Sequence, residues 1–242
     1  MREVVVLCYH ALSSDWPATL CVRPERFERQ VEMLLDRGYR PMSFSAALAD
    51  SSSGKKLAIT FDDAFSSVRD LASPILERLG APATVFAVTS FAADGRPLRW
   101  DGIDQWRDGP HDHELASMSW DELRALEDKG WEVGSHTRSH PRLTRLSDAD
   151  VAAELGRSRE ECEAALGHAC AAIAYPYGDV DARIVSAARD AGYVTGAALP
   201  ARLHRGRPLE WPRIGVFWND DLRRFRLKVS PSVRLGRTLL RR

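Results

Sequence analysis

Lys56-Leu57-Ala58-Ile59-Thr60-Phe61-Asp62-Asp63 follows a Ser/Gly/Lys stretch and is short, apolar and partly β-branched, the pattern of a buried strand ending in two carboxylates. Inside a regular strand neighbouring side chains point to opposite faces, so Asp62 and Asp63 can serve one site only where the strand gives way to a loop. Such strand ends are where parallel α/β sheets and barrels keep their active sites. A second stretch repeats the logic. Lys129-Gly130 stops a helix, Trp131-Glu132-Val133-Gly134-Ser135 reads as a strand, and His136 and His140 follow at its exit. Four residues apart, the two imidazoles fall on one side of a single turn. Pro141 biases His140 away from the helical region, so the pair is expected on a hooked loop. Two imidazoles and one carboxylate leave a coordination position open on Zn²⁺, the arrangement of a catalytic metal, with the other carboxylate to spare. Each motif alone has an ordinary explanation, Asp-Asp as a helix cap or solvated turn and His-x3-His as a surface coincidence. Both at strand ends in one chain point to a site.

Outward from these two stretches, strand and helix alternate. Glu3 to Tyr9 reads as a first strand. Pro24 to Arg37 has helical periodicity through Phe27, Val31, Leu34 and Leu35, with Pro24 at its start and Gly38 as its stop. Ser66 to Leu79 reads as a helix closed by Gly80, and Ala83 to Val88 as the next strand. Ser119 and Glu122 form a capping box for a helix over Trp120 to Lys129. Ser147 to Leu166 is a longer helix ended by Gly167, followed by a strand from Ala171 to Tyr175, a helix from Asp181 to Ala191 and a strand from Tyr193 to Ala198. This order predicts a parallel sheet or a barrel without choosing between them. Ala93 to Ala116 breaks the alternation and carries Trp100, Trp106, His111 and His113. Two readings stand: a loop over the site mouth whose indoles stack on sugar faces, or tryptophans that pack the loop onto the body. His111 and His113 are not read as ligands.

Composition excludes several classes. With 242 residues, 44% hydrophobic, and no long Pro/Gly/Ser linker, the chain fits one barrel-sized domain, although length alone permits two small ones. Lys+Arg and Asp+Glu both number 34, so no overall basic footprint for nucleic acid exists. No run approaches a membrane span. The N-terminus enters Val4-Val5-Val6-Leu7 without the apolar core and cleavage site of a signal peptide, and the expected location is cytoplasmic. Cys8, Cys21, Cys162 and Cys170 form no C-x-x-C pair and read as buried or incidental thiols.

Thr60-Phe61-Asp62-Asp63, Ser135-His136 to His140, and Ala174-Tyr175-Pro176-Tyr177-Gly178 together resemble the three motifs of the polysaccharide deacetylases of the NodB-homology type, carbohydrate esterase family 4. The resemblance spans roughly residues 3 to 217. Tyr9-His10 and Pro212-Arg213-Ile214 look most like the branch containing poly-N-acetylglucosamine deacetylases. It implies a distorted (β/α) barrel of roughly seven parallel strands, a divalent metal, and hydrolysis of an N-acetyl group on a glycan. Residues 1–220 then form the catalytic domain and 221–242 a basic C-terminal tail.

Carried over residue by residue, the resemblance makes Asp63, His136 and His140 the metal ligands and Asp62 the general base. The backbone N–H of Tyr177, presented by the Pro176 turn, becomes the oxyanion donor. Zn²⁺ is the expected ion, with Co²⁺, Ni²⁺ and Fe²⁺ compatible with the same ligands. Two departures matter. Ala174 stands where many members have an arginine, and Arg213 is read as supplying that charge from the last strand, with a surface salt bridge as the alternative. No convincing Leu-x-His motif is present, Arg202-Leu203-His204 being off-register. His10 is therefore the candidate acid, the alternative being a hydrogen-bonded histidine at a strand end. Arg223-Arg224-Phe225-Arg226 and Ser232 to Arg242 are basic and partly amphipathic, suited to weak contact with an anionic membrane or to a solvated tail. The expected function is metal-dependent N-deacetylation of a sugar during assembly of an extracellular or capsular glycan. The alternatives are hydrolysis of a formamide, imide or cyclic ureide on the same fold, and a catalytically inactive glycan-binding protein.

Overall fold

The computed structural model describes residues 2–200 and 206–231. Its elements, in chain order, open with strands β1 (Arg2–Tyr9), β2 (Ala11–Leu12) and β3 (Cys21–Val22), then α1 (Pro24–Asp36), β4 (Tyr39–Met42) and α2 (Phe44–Ala49). Next come β5 (Gly54–Phe61), α3 (Ser73–Arg78), β6 (Thr84–Ala87), α4 (Thr89–Ala92), α5 (Trp120–Glu127), β7 (Glu132–Ser135) and α6 (Asp148–Leu166). The chain continues through β8 (Ala172–Ala174), α7 (Ala182–Asp190), β9 (Thr195–Ala198), β10 (Trp211–Pro212), β11 (Ile214–Gly215) and α8 (Leu222–Val229).

The main sheet runs β10-β9-β8-β7-β6-β5-β1-β11 with every pairing parallel. β5 is shared: its first half pairs with β4, from Tyr39 opposite Lys55 to Met42 opposite Ala58, whereas Thr60 and Phe61 pair with β6. Closure comes from one short segment. Trp211 and Pro212 pair with β9, Ile214 and Gly215 pair with β1, and so residues 211–215 join the two edges into a nearly closed barrel. Arg213 lies at that seam, its N–H donating to the Ala198 carbonyl at 3.0 Å. The parallel strands are buried on both faces, which is why β5 reads as a continuous apolar run from Leu57 onward.

Sequence patterns located the helix ends well. Ser119 and Glu122 close both halves of the capping box on α5, and Gly167 caps α6 in the left-handed conformation. The helix expected over Ser66 to Leu79 instead begins with a wide turn at Val68–Ala72 before α3. Pro74 has no N–H to give the Asp70 carbonyl, and the Ser73 N–H reaches back five residues to Val68. Gly134 in β7 is there for space. A Cβ at that position would lie 2.8 Å from the Phe86 ring and 2.9 Å from the Ala172 carbonyl.

Where it is described, the segment from 221 forms a helix packed on the barrel. Asp221 accepts the Arg224 N–H and caps α8, whose Phe225 and Val229 are buried in the main core beside α1. Lys228 pairs with the buried Asp220 at 2.5 Å. Within α8, Phe225 is buried, whereas Arg223, Arg224 and Arg226 are exposed. Residues 232–242 lie outside the described residues, as does Arg202-Leu203-His204. Among the described residues no helix is long and apolar enough to cross a membrane.

Candidate active site

Both motif carboxylates emerge where β5 ends. The Asp62 N–H still continues the ladder, donating to the Tyr9 carbonyl at 3.0 Å, but Asp63 and Ala64 then turn left-handed at φ 72° and 58°. That reversal cancels the strand alternation and lets adjacent carboxylates face one site. β7 delivers the imidazoles. The His136 N–H donates to the Ala87 carbonyl at 2.7 Å, and the chain then hooks through Thr137 at φ 66° to His140 at φ 62°. His140 is thus left-handed, not extended as Pro141 alone would favour, and its N–H is held by Thr137 Oγ1 at 3.1 Å.

Asp63, His136 and His140 converge in the buried interior. Asp63 Oδ1 lies 3.3 Å from His136 Nε2 and 3.4 Å from His140 Nε2. Ligand bonds of about 2.0–2.1 Å at a tetrahedral angle separate neighbouring donors by about 3.3 Å, so this spacing fits a divalent ion. Two further observations agree. Asp63 Oδ1 is a buried anionic oxygen without a hydrogen bond, and a carbonyl, that of Ala174, accepts from His136 Nδ1 at 2.9 Å, which leaves Nε2 as the free donor atom aimed at Asp63. Burial, with the charge of His136, drives His140 down to about 3, against the pull of Asp63 and Asp62. His140 is therefore neutral, as a ligand must be. Burial opposes the charge on Asp63, but the close approach of His136 and His140 wins and holds it below the usual carboxylate range.

Asp62 has a different environment. Arg213 reaches it from the seam as a two-pronged fork, Nη1 to Oδ1 at 2.6 Å and Nη2 to Oδ2 at 2.7 Å, with both side chains buried. Thr60 aims the guanidinium: its Oγ1 donates to the Leu7 carbonyl at 2.7 Å and accepts from Arg213 Nη1 at 3.0 Å. Burial raises the Asp62 pKa, yet the charges of Arg213 and His136 and the Arg213 hydrogen bonds outweigh it and keep the group well below the carboxylate range. Asp62 Oδ2 stays 4.0 Å from His136 Nε2, just outside the three-donor cluster.

The comparisons with known proteins bear on this arrangement. Residues 49–196 match the family model for polysaccharide deacetylase. The chain belongs to the polysaccharide deacetylase family. It is similar to YxkH of Bacillus subtilis, 26% identical over 199 residues, and to a poly-β-1,6-N-acetyl-D-glucosamine N-deacetylase of Staphylococcus aureus, 24% identical over 204 residues. Those alignments take in 80% and 79% of this chain but 63% and 65% of the relatives, so the chain spans less than two thirds of the length of either. Among solved structures, the Streptococcus pyogenes deacetylase PplD superposes with a TM-score of 0.78 at 23% identity over 95% of this chain and 99% of that one. IcaB from Ammonifex degensii gives 0.72 at 24% over 91% and 93%. The barrel is the fold these deacetylases share.

Within the polysaccharide deacetylase barrel, the remaining expected residues gather around the same strand ends. His10 follows β1, is half-buried against the Phe217 ring, and offers a ring nitrogen within 4.8 Å of an Asp62 oxygen and the Cys8 sulfur. Its Nδ1 is buried without a hydrogen-bond partner. Tyr177 adopts φ 60° and ψ 6° in the turn after β8, and its ring lies 4.7 Å from that of His140. In the 93–116 loop both indoles are half-buried and packed against the body of the protein. Trp100 stacks on His140, ring centroids 4.0 Å apart at 26°, and Trp106 packs edge-on to Trp16. His111 lies against Trp106 and the His113 side chain is 74% exposed, neither joining the cluster.

One contributor escaped the sequence reading. Cys8 Sγ is 3.4 Å from Asp62 Oδ2, and its buried thiol, pushed up mainly by burial, is a protonated donor to that carboxylate. Its spacing from His10 was the available signal, since alternate residues of β1 share a face and Cys8 pairs with Thr60.

Proposed function

We propose that this chain is a metal-dependent hydrolase that removes the N-acetyl group from an N-acetylated sugar in a polysaccharide, oligosaccharide or lipid-linked glycan. One observation carries the reading: three buried donor atoms at ligand spacing stand beside a second carboxylate that is held ionised by Arg213 and kept off the cluster. Family membership and similarity to the Staphylococcus aureus N-deacetylase support the substrate class.

Asp63, His136 and His140 would hold the ion. A divalent ion bound there lowers the pKa of water and polarises a carbonyl, which an amide requires because it is a poor electrophile. Asp62 supplies the base: its proton-accepting form is maintained by Arg213, and the fork fixes the direction of its free lone pairs. The peptide N–H of Tyr177 donates to the acetyl oxygen as negative charge develops there. His10, with a ring nitrogen within 4.8 Å of an Asp62 oxygen, protonates the departing amine. Trp100 and the Tyr177 ring both pack against His140, which is buried and so shielded from water.

The test is acetate release from N-acetylglucosamine oligomers and polymers by metal-reconstituted parent and Asp62→Asn side by side. The expected result is metal-dependent release by the parent and a loss of about 10²-fold or more in Asp62→Asn. No release by a parent shown to bind one ion per chain would overturn N-deacetylation and leave another amide substrate or a glycan-binding role.

A further inference from the structure

The loop carrying the two histidines is strained and over-determined. Thr137 is β-branched yet takes φ 66°, a region that such residues rarely occupy, and His140 follows at φ 62°. Conformations of this kind are unfavourable and persist only when the surroundings enforce them. One helix supplies much of the enforcement. Glu154, Ser158 and Glu161 recur at i, i+4 and i+7 on α6 and so share a face, and all three face the loop or the strand that leads into it.

Glu154 makes the most direct contact. Its Oε2 accepts the N–H groups of Arg138 and Ser139, both at 3.0 Å, and its Oε1 accepts the Ser139 hydroxyl at 2.6 Å. Both amides lie between the two histidines. Ser158 bonds Ser135 Oγ at 3.0 Å, and Ser135 Oγ in turn accepts the Thr137 N–H at 3.1 Å. Glu161 takes Arg138 Nε at 2.8 Å and also bonds Thr89, whose own N–H donates to the Thr137 carbonyl. The loop's outward-pointing amides would otherwise be satisfied by water, which imposes no particular geometry.

We infer that Glu154 is a positioning residue for the metal site: by gathering the Arg138 and Ser139 amides onto one carboxylate, it locks the hook that brings His140 back to Asp63. The inference rests on Asp63, His136 and His140 being the ligand set. It concerns preorganisation, because the bound geometry is already present in the chain and need not be created by the ion.

The experiment compares zinc affinity, measured by chelator competition on folded protein, across the parent, Glu154→Ala, Glu154→Gln, Glu154→Asp and a control, Glu160→Ala, on the exposed side of the same helix. Melting temperatures of the metal-free proteins are recorded alongside. Loss of a supporting contact to a metal site weakens binding about 10–100-fold, and that is the loss expected for Glu154→Ala. Glu154→Gln, which retains an acceptor oxygen, should recover most of the affinity, whereas Glu160→Ala should bind as the parent does. Glu154→Asp keeps the charge but withdraws it by one methylene. It should behave like Glu154→Ala, and it decides the matter if the alanine variant does not fold. A merely structural role would lower the metal-free melting temperature and leave the zinc affinity of folded chains unchanged. That result in Glu154→Ala and Glu154→Asp overturns the inference alone. A parent that binds no zinc overturns the ligand assignment, and the inference with it.

Discussion

At the scale of residues, the Asp62–Arg213 pair shows how a buried carboxylate is kept ionised. Removing two charges from water is unfavourable, and only the two-pronged geometry with added support from Thr60 makes the pair tenable. Arg213→Met should therefore strand a buried carboxylate and cost about 3–5 kcal/mol at neutral pH. The sign with pH follows from the depressed pKa of Asp62. In the parent, the pair contributes stability above the ordinary Asp value of about 3.9, and this is lost as pH falls through the lower folded value. In Arg213→Met the largest influence opposing burial is gone, the carboxyl takes up its proton at higher pH than in the parent, and the penalty is relieved. Urea midpoints of metal-free parent and variant should differ most near pH 7 and converge toward pH 4; a gap that stays constant would count against the account. Chain separation explains what could be read here beforehand. Asp62-Asp63 and His136 to His140 are local patterns that a strand end turns into chemistry. Arg213 stands 151 positions from Asp62, and the sequence, through the family resemblance, offered it as the cation for the base with a surface salt bridge as the alternative. Cys8 carried no motif and drew no functional reading.

At the scale of elements, strong patterns survived and weak ones did not. The apolar run of β5, the capping box of α5 and the Gly167 stop of α6 each combine a periodic core with an end signal. β4 was overlooked because Tyr39-Arg40-Pro41-Met42 carries a proline and alternates poorly. It is tolerated because β4 pairs with β5 alone, an edge position where a missing N–H costs little. β10 and β11, two residues each, are too short for any periodicity. Gly134 supplies a test at this scale. Gly134→Ala would push against Phe86 and the Ala172 carbonyl, and overpacking of this kind costs about 1–3 kcal/mol. Because β7 leads directly into His136, the same variant should also weaken zinc binding, read by the same chelator competition. Destabilisation without any change in affinity would mean that the histidine loop is positioned independently of its strand.

At the scale of the whole molecule, the barrel is closed by one crossing segment and braced by a C-terminal helix. Phe225 of α8 is fully buried in the main core, and Lys228 pairs with Asp220, whose backbone carbonyl accepts from Gln30 on α1. Gln30 in turn accepts from Tyr9, the last residue of β1, so α8 is linked to a strand end at the site. Phe225→Ala should cost about 3–5 kcal/mol and lower the single cooperative melting transition of the domain. A melting temperature unchanged from the parent would mean that residues after 221 are energetically separate from the barrel.

The order of strands and helices, the strand-end location of two carboxylates and two imidazoles, and the family resemblance were all carried by short stretches of chain, because hydrogen-bonding periodicity and helix capping act over a few residues. Closure of the sheet through residues 211–215, the fork of Arg213 on Asp62, the contact of Cys8 with the same carboxylate, the packing of Trp100 and Tyr177 against His140, and the grip of Glu154 on the hook were decided by the folded structure. Most of these contacts join groups remote in the chain, and their energies come from burial and distance. Those quantities exist only once parallel strands have brought their carboxyl ends together.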